Sequence, residues 1–190
     1  MPKNVSMKIA AIDFTFRNSP AKIIANRNSA EIKLAGLTIS PFEEGNEYEV
    51  QYWIARELVK ARIARFREEV LLDSSKLYKI QWTEQIQTTH QISKLPANFY
   101  PKLRRYLKNQ KEEATKKPQR TREYEKDCNL TQDIINSRLK KIMSLASAPA
   151  QTRQALENLT EEEAFLYKRI YTLISEWRAQ ILKTGGKIDG

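Results

Sequence analysis

The chain has 190 residues, 41% of them hydrophobic, and a formal net charge of +10, enough apolar content to bury a core in one large domain or two small ones. A single cysteine, Cys128, excludes an intrachain disulfide, and with His90 the sole histidine no Cys/His zinc cluster can be assembled. No apolar run approaches the ~18 residues of a membrane span, and the opening MPKNVSMKIAAIDF lacks a signal peptide's apolar core, so a soluble cytoplasmic protein in a reducing compartment is expected.

Three strands are expected first: MKIAAIDFTF (7–16), AKIIAN (21–26) and AEIKLAGLTI (30–39), each rich in Ile or Phe and closed by Asn, Ser, Pro or Gly. SPFEEGNEYEVQYWIARELV (40–59) then changes period. EEGN supplies turn chemistry around Gly45, Tyr48 and Val50 alternate with Glu47, Glu49 and Gln51, and from Val50 onward Ile54, Leu58 and Ala61 share a helical face beside Trp53. A second apolar row, Ala55, Val59, Ile63, Phe66 and Val70, extends the expected helix to about residue 70 and gives it two apolar sides. A sheet this small needs that helix as its cover.

From residue 70 the pattern is helical. LLDSSKLYKIQWTEQI offers Ser74 or Ser75 as a cap, with Tyr78, Trp82 and Ile86 recurring every fourth residue. In KLPANFYPKLRRYLKNQKEEATKKP, Phe99, Leu103, Tyr106 and Leu107 make the apolar stripe and Pro118 ends the helix. A third helix runs from about Arg122 to Ala146 along Leu130, Ile134, Ile135, Leu139, Ile142 and Met143, and Pro149 breaks the pattern. The last opens on a capping box, Thr160 with Glu163, and stops at Gly185 and Gly186. Its face is Leu166, Ile170, Leu173, Trp177 and Ile181, widened by Tyr167, Tyr171 and Ile174. Such a surface suits contact with another subunit or a place at the centre of its own bundle. The fold class is α+β, mainly α: a small amino-terminal β domain (1–69) followed by a helical bundle domain (70–190).

Charge is unevenly spread. Residues 102–126 carry ten Lys/Arg against four Asp/Glu, and residues 1–30 carry five against one, so these segments account for the whole excess. They read either as solvated faces or as a footprint for phosphate or an acidic surface, with Lys116, Lys117, Arg120 and Arg122 as the candidate nucleic-acid contacts. Enzyme signatures are missing. Five glycines compose neither G-x-x-x-x-G-K-[ST] nor G-x-G-x-x-G, His90 has no catalytic partner nearby, and Cys128 suits packing. No catalytic, metal or cofactor residue is assigned.

The order GLTISPFEEGNEYEVQYWIARELVKARIARF, LYKIQWTEQI, KLPANFYPKLRRYL and LTEEEAFLYKRIYTLISEWR resembles a subunit of the GINS replication complex, in the archaeal form whose small β domain precedes the helical one. The resemblance covers roughly residues 20–183. Its most specific parts are the small-domain motif of Gly36, Pro41, Phe42, Gly45, Trp53, Ala55 and Leu58, and then Leu95, Pro96, Phe99 and Tyr100. It implies a non-catalytic scaffold in a tetramer, commonly two copies each of two related chains, that joins the MCM helicase and a RecJ-like protein. The helical domains form the tetramer, and the small domain acts as adaptor. The alternative is a direct nucleic-acid-binding protein using segment 102–126.

Overall fold

The computed structural model describes residues 4–34, 37–39, 41–68, 71–86, 91–149 and 153–183. Gly36, Val70, His90, Gly185 and Gly186, singled out above, lie outside them. The protein is α+β and mainly helical, in two compact units, Ala10–Leu72 and Met1–Ile9 with Asp73–Gly190.

The first element corrects the expected strand over 7–16: it is helix α1, Val5–Arg17. Composition suggests a strand, but a strand would put Phe14 on the same face as Ile12 and Phe16, and Phe14 is exposed while the other two are buried. In the Ala10–Leu72 unit, β1 (Pro20–Ala25) is the central strand of an antiparallel sheet in the order β4-β1-β5, with β4 at Glu47–Gln51 and β5 at Ala64–Phe66. The expected single strand over 30–39 is two, β2 (Ile32–Leu34) and β3 (Leu37–Ile39), paired antiparallel with Leu34 opposite Leu37.

Helix α2 (Tyr52–Lys60) lays Ile54, Ala55 and Leu58 against Ala21, Ile23 and Ala25, the inward positions of β1. The helix expected to reach residue 70 stops at Lys60. Arg62 takes a left-handed φ of 58°. Its N–H donates to the Val59 carbonyl and the Ile63 N–H donates to the Leu58 carbonyl, both at 3.0 Å, the bond pair that closes a helix in a Schellman turn. Glycine usually marks such a stop; here an arginine fills the place and hides it. The chain then turns back as β5, where Phe66 stacks on Tyr52 at 5.3 Å.

The small-domain motif is mostly core. Phe42 is buried, exchanges backbone bonds with Ser29 and meets the edge of Tyr48 at 4.7 Å. Ala55 and Leu58 are buried, Trp53 is half-buried and Pro41 is exposed. Gly45 has φ +83° and open space where a Cβ would stand, and its N–H donates to the Ala25 carbonyl. Gly45→Ala is therefore expected to cost about 1 kcal/mol through backbone conformation alone. Thermal melting checks this, and an unchanged midpoint would refute it.

The second unit is built from α3 (Ser74–Ile86), α4 (Phe99–Lys116), a 3-10 turn (Pro118–Arg120), α5 (Thr121–Ser147), α6 (Arg153–Glu157) and α7 (Glu161–Ile181). Asp73 caps α3, its Oδ1 accepting from the Lys76 N–H at 2.8 Å, so neither Ser74 nor Ser75 does. Two expected stripes also change. On α3 it is Leu77, Gln81 and Glu84 that are buried while Tyr78, Trp82 and Ile86 are exposed. On α5, Ile134 and Ile142 are buried, but Ile135, Leu139 and Met143 face out and Asp127, Thr131, Arg138 and Lys141 lie inside. The inward positions of the two helices are taken by charges that meet one another.

Candidate subunit interface

Helix α7 starts as its sequence predicts. Thr160 Oγ1 accepts from the Glu163 N–H at 3.3 Å and Glu163 Oε2 accepts from the Thr160 N–H at 3.0 Å, a capping box that satisfies two end donors at once. Glu163 is also buried, and the same carboxylate receives a fork from Arg138, Nε to Oε1 at 2.8 Å and Nη2 to Oε2 at 2.6 Å. Tyr100 donates its hydroxyl to Glu163 Oε1 at 2.7 Å. Arg138 Nη1 donates to Glu84 Oε1 at 3.0 Å and to the Ser93 carbonyl at 2.6 Å. Lys141 Nζ reaches Glu84 Oε2 at 2.8 Å, and the Ser93 hydroxyl donates to Glu84 Oε1. Two carboxylates and two cations thus lie buried, joining α3, α4, α5 and α7.

Burial on its own raises the Glu84 carboxyl, but the Lys141 and Ser93 hydrogen bonds and the Arg138 charge outweigh it and hold the group below the usual carboxylate value. Burial, then the Glu163 charge and hydrogen bond, push the Tyr100 hydroxyl well above the ordinary tyrosine value. Because Glu84 is depressed, its contribution is fully present above the unfolded carboxylate value and is lost as pH falls through the folded one. Urea midpoints of the wild type should drop on acidification across that window, and Glu84→Gln should flatten the drop. Parallel pH profiles for the two proteins would refute this role.

Along α7 the apolar stripe divides. Tyr167 is buried, and Leu166, Ile170 and Ile174 are half-buried against Ile92, Ile142, Ala146 and Ala155. Trp177 and Ile181 continue the same row at helical spacing, yet they are 62% and 63% exposed, with Leu173 at 66% beside them. The row loses its cover where α5 ends: Arg178 Nη2 donates to the carbonyl of Ser147, its last residue, at 2.9 Å. Tyr171, exposed, stacks on Tyr167 at 5.9 Å. Of the eight residues on the expected face, Leu166, Tyr167, Ile170 and Ile174 pack within the bundle, Tyr171 touches it through Tyr167, and Leu173, Trp177 and Ile181 are exposed. Near the start of α7, a cleft of about 320 Å³ is lined by Val5 and Ile9 of α1, Ile135, Leu139 and Ile142 of α5, and Phe165 and Leu166 of α7. Lys8 and Arg104 at this cleft are paired to Glu161 and Glu162, at 3.3 and 3.8 Å.

The four basic candidates come together at the α4–α5 corner, where every residue from Thr115 to Glu123 is exposed. Among the described residues no group of His, Cys, Asp and Glu could hold a metal, and no helix is long and apolar enough to cross a membrane. Sequence reasoning missed the buried charges, though a signal was there: Arg138 and Lys141 stand four and seven residues after Ile134, on core positions of a helix.

Residues 71–182 match the Sld5 family, described as the GINS complex protein helical bundle domain. The chain is also 26% identical over 157 residues to the human DNA replication complex GINS protein PSF2, covering 81% of this chain and 80% of that protein.

Proposed function

We propose, because this chain belongs to the family of GINS complex proteins, that it is a non-catalytic subunit of a DNA replication complex. The observation that carries this reading is the row Ile170, Ile174, Trp177 and Ile181, whose second half runs past the end of α5 and is exposed among the described residues. Exposed aromatic and aliphatic residues in one row are the anchors of a subunit contact. The exposed α5 row of Ile135, Leu139 and Met143 extends the apolar surface available.

In its finer form the proposal is an archaeal-type assembly, two copies of this chain with two of a paralogous subunit, located with the nucleoid in the cytoplasm. The complex bridges the MCM helicase and a RecJ-like protein, and the small β unit, with Phe42, Ala55 and Leu58 of the motif in its core, is the adaptor. The test is capture of the tagged chain from native lysate with identification of what it retains, alongside light scattering of the purified protein. A sister subunit or MCM on the beads and an oligomer in solution are expected. A stable monomer that ignores its paralogue would overturn the reading.

A further inference from the structure

The corner between α4 and α5 has a chemistry that the subunit contact does not use. Lys116 ends α4, Lys117, Pro118, Gln119 and Arg120 make the turn, and Thr121 and Arg122 open α5, so seven consecutive residues hold four cations and no acid. All seven are exposed. Lys116 lies 4.0 Å from Glu113, and Lys117, Arg120 and Arg122 form no ion pair among the described residues.

We propose that this corner docks on the phosphate backbone of duplex nucleic acid without reading its sequence. The partner's class follows from what surrounds the charges. A protein partner needs apolar anchors at the centre of its footprint, and from Thr115 to Arg122 the chain offers only Thr, Lys, Pro, Gln and Arg. Among the described residues the large exposed hydrophobic ones lie elsewhere, on α1, α3, α5 beyond residue 134 and α7, and at Leu71 and Leu182. Single strands are held through bases stacked on aromatic rings; Thr115 to Arg122 holds none, and Tyr124, one turn into α5, is half-buried. What remains is concentrated positive charge on a helical hairpin, matched to the highest density of phosphate. This stands on the corner's own chemistry, so its failure leaves the family membership untouched.

The experiment is fluorescence anisotropy of a labelled 30-base-pair duplex titrated with the full chain, together with its partner subunits where it needs them. If four phosphates are neutralised, log affinity falls against log salt with a slope of about −3.6, an affinity loss of about 150-fold between about 50 and 200 mM salt. The variant K116Q/K117Q/R120Q/R122Q should lose about 100-fold at low salt and most of the slope, with unchanged thermal melting because the residues are exposed. A control, K79Q/K140Q, takes two cations from other exposed positions and should bind as the wild type does. The proposal is overturned if wild type fails to bind, if the fourfold variant binds within about twofold of it, or if the control loses affinity in proportion to charge. It is equally overturned if a polyglutamate peptide, a single strand or phosphatidylserine vesicles bind as tightly as the duplex.

Discussion

Replacing Arg138 by Met should lower the stability of the helical unit by about 3–5 kcal/mol, the usual consequence of removing one partner from a buried ion pair. Its guanidinium makes four short bonds, two to Glu163, one to Glu84 and one to the Ser93 carbonyl. Met fills much of the space but donates nothing, so Glu163 keeps only Tyr100 and its cap bonds while remaining out of water. Arg138→Lys should recover part of the loss, since an ammonium cannot present the planar fork that spans both oxygens of Glu163. The measurement is urea unfolding. In the double variant Arg138→Met/Glu163→Gln the cost should be well below the sum of the single costs, because no stranded charge remains at Glu163. A loss under about 1 kcal/mol for Arg138→Met would show that water reaches the cluster and screens it.

The second large effect belongs to Trp177. Trp177→Ala is expected to weaken subunit association by about 2–4 kcal/mol, about 30- to 1000-fold, as truncation of a central aromatic anchor does. The melting of the dissociated chain should hardly move, because Trp177 is 62% exposed within it. Light scattering across a dilution series reads the association, and circular dichroism reads the fold. If Trp177→Ala lowered the melting temperature and left particle size alone, the residue would serve its own bundle and the interface would lie elsewhere. Ile142→Ala, at a fully covered position, supplies the contrast: it should destabilise the chain itself.

How far the sequence could be read depended on whether a position's signal was local. The α7 capping box, the break at Pro118 and the turn at Gly45 are written in residues that act on their own neighbours, and all three stand where expected. The end of α2 was illegible because Arg62 holds a left-handed conformation normally marked by glycine, and because Ile63 and Phe66 happen to continue the helical spacing while lying beyond the helix. Helix α1 is hidden by an Ile- and Phe-rich composition, because the buried pair Ile12 and Phe16 fits either period and only the exposure of Phe14 between them tells helix from strand. The α3 and α5 faces failed for a different reason. Hydrophobic periodicity assumes that apolar groups go in and charges stay out, and Glu84, Arg138 and Lys141 reverse that wherever charges can satisfy one another. On α7, periodicity marks one continuous apolar row yet cannot say where α5 stops, and that stopping point separates Ile170 from Trp177.

Glu163 also governs leverage. One carboxylate caps α7, clamps Arg138 and receives Tyr100, so the helix is held rigidly by its base. Ile181 lies eighteen residues further on, or about 27 Å along the axis, so a tilt of about 10° at the base would swing the tip by about 5 Å. That displacement is larger than the tolerance of a packed contact, whose atoms must meet within ~4.5 Å. A substitution at the hidden foot of the helix can thus spoil recognition at its far end without touching a single residue there, and the aim of the protruding arm is set inside the bundle.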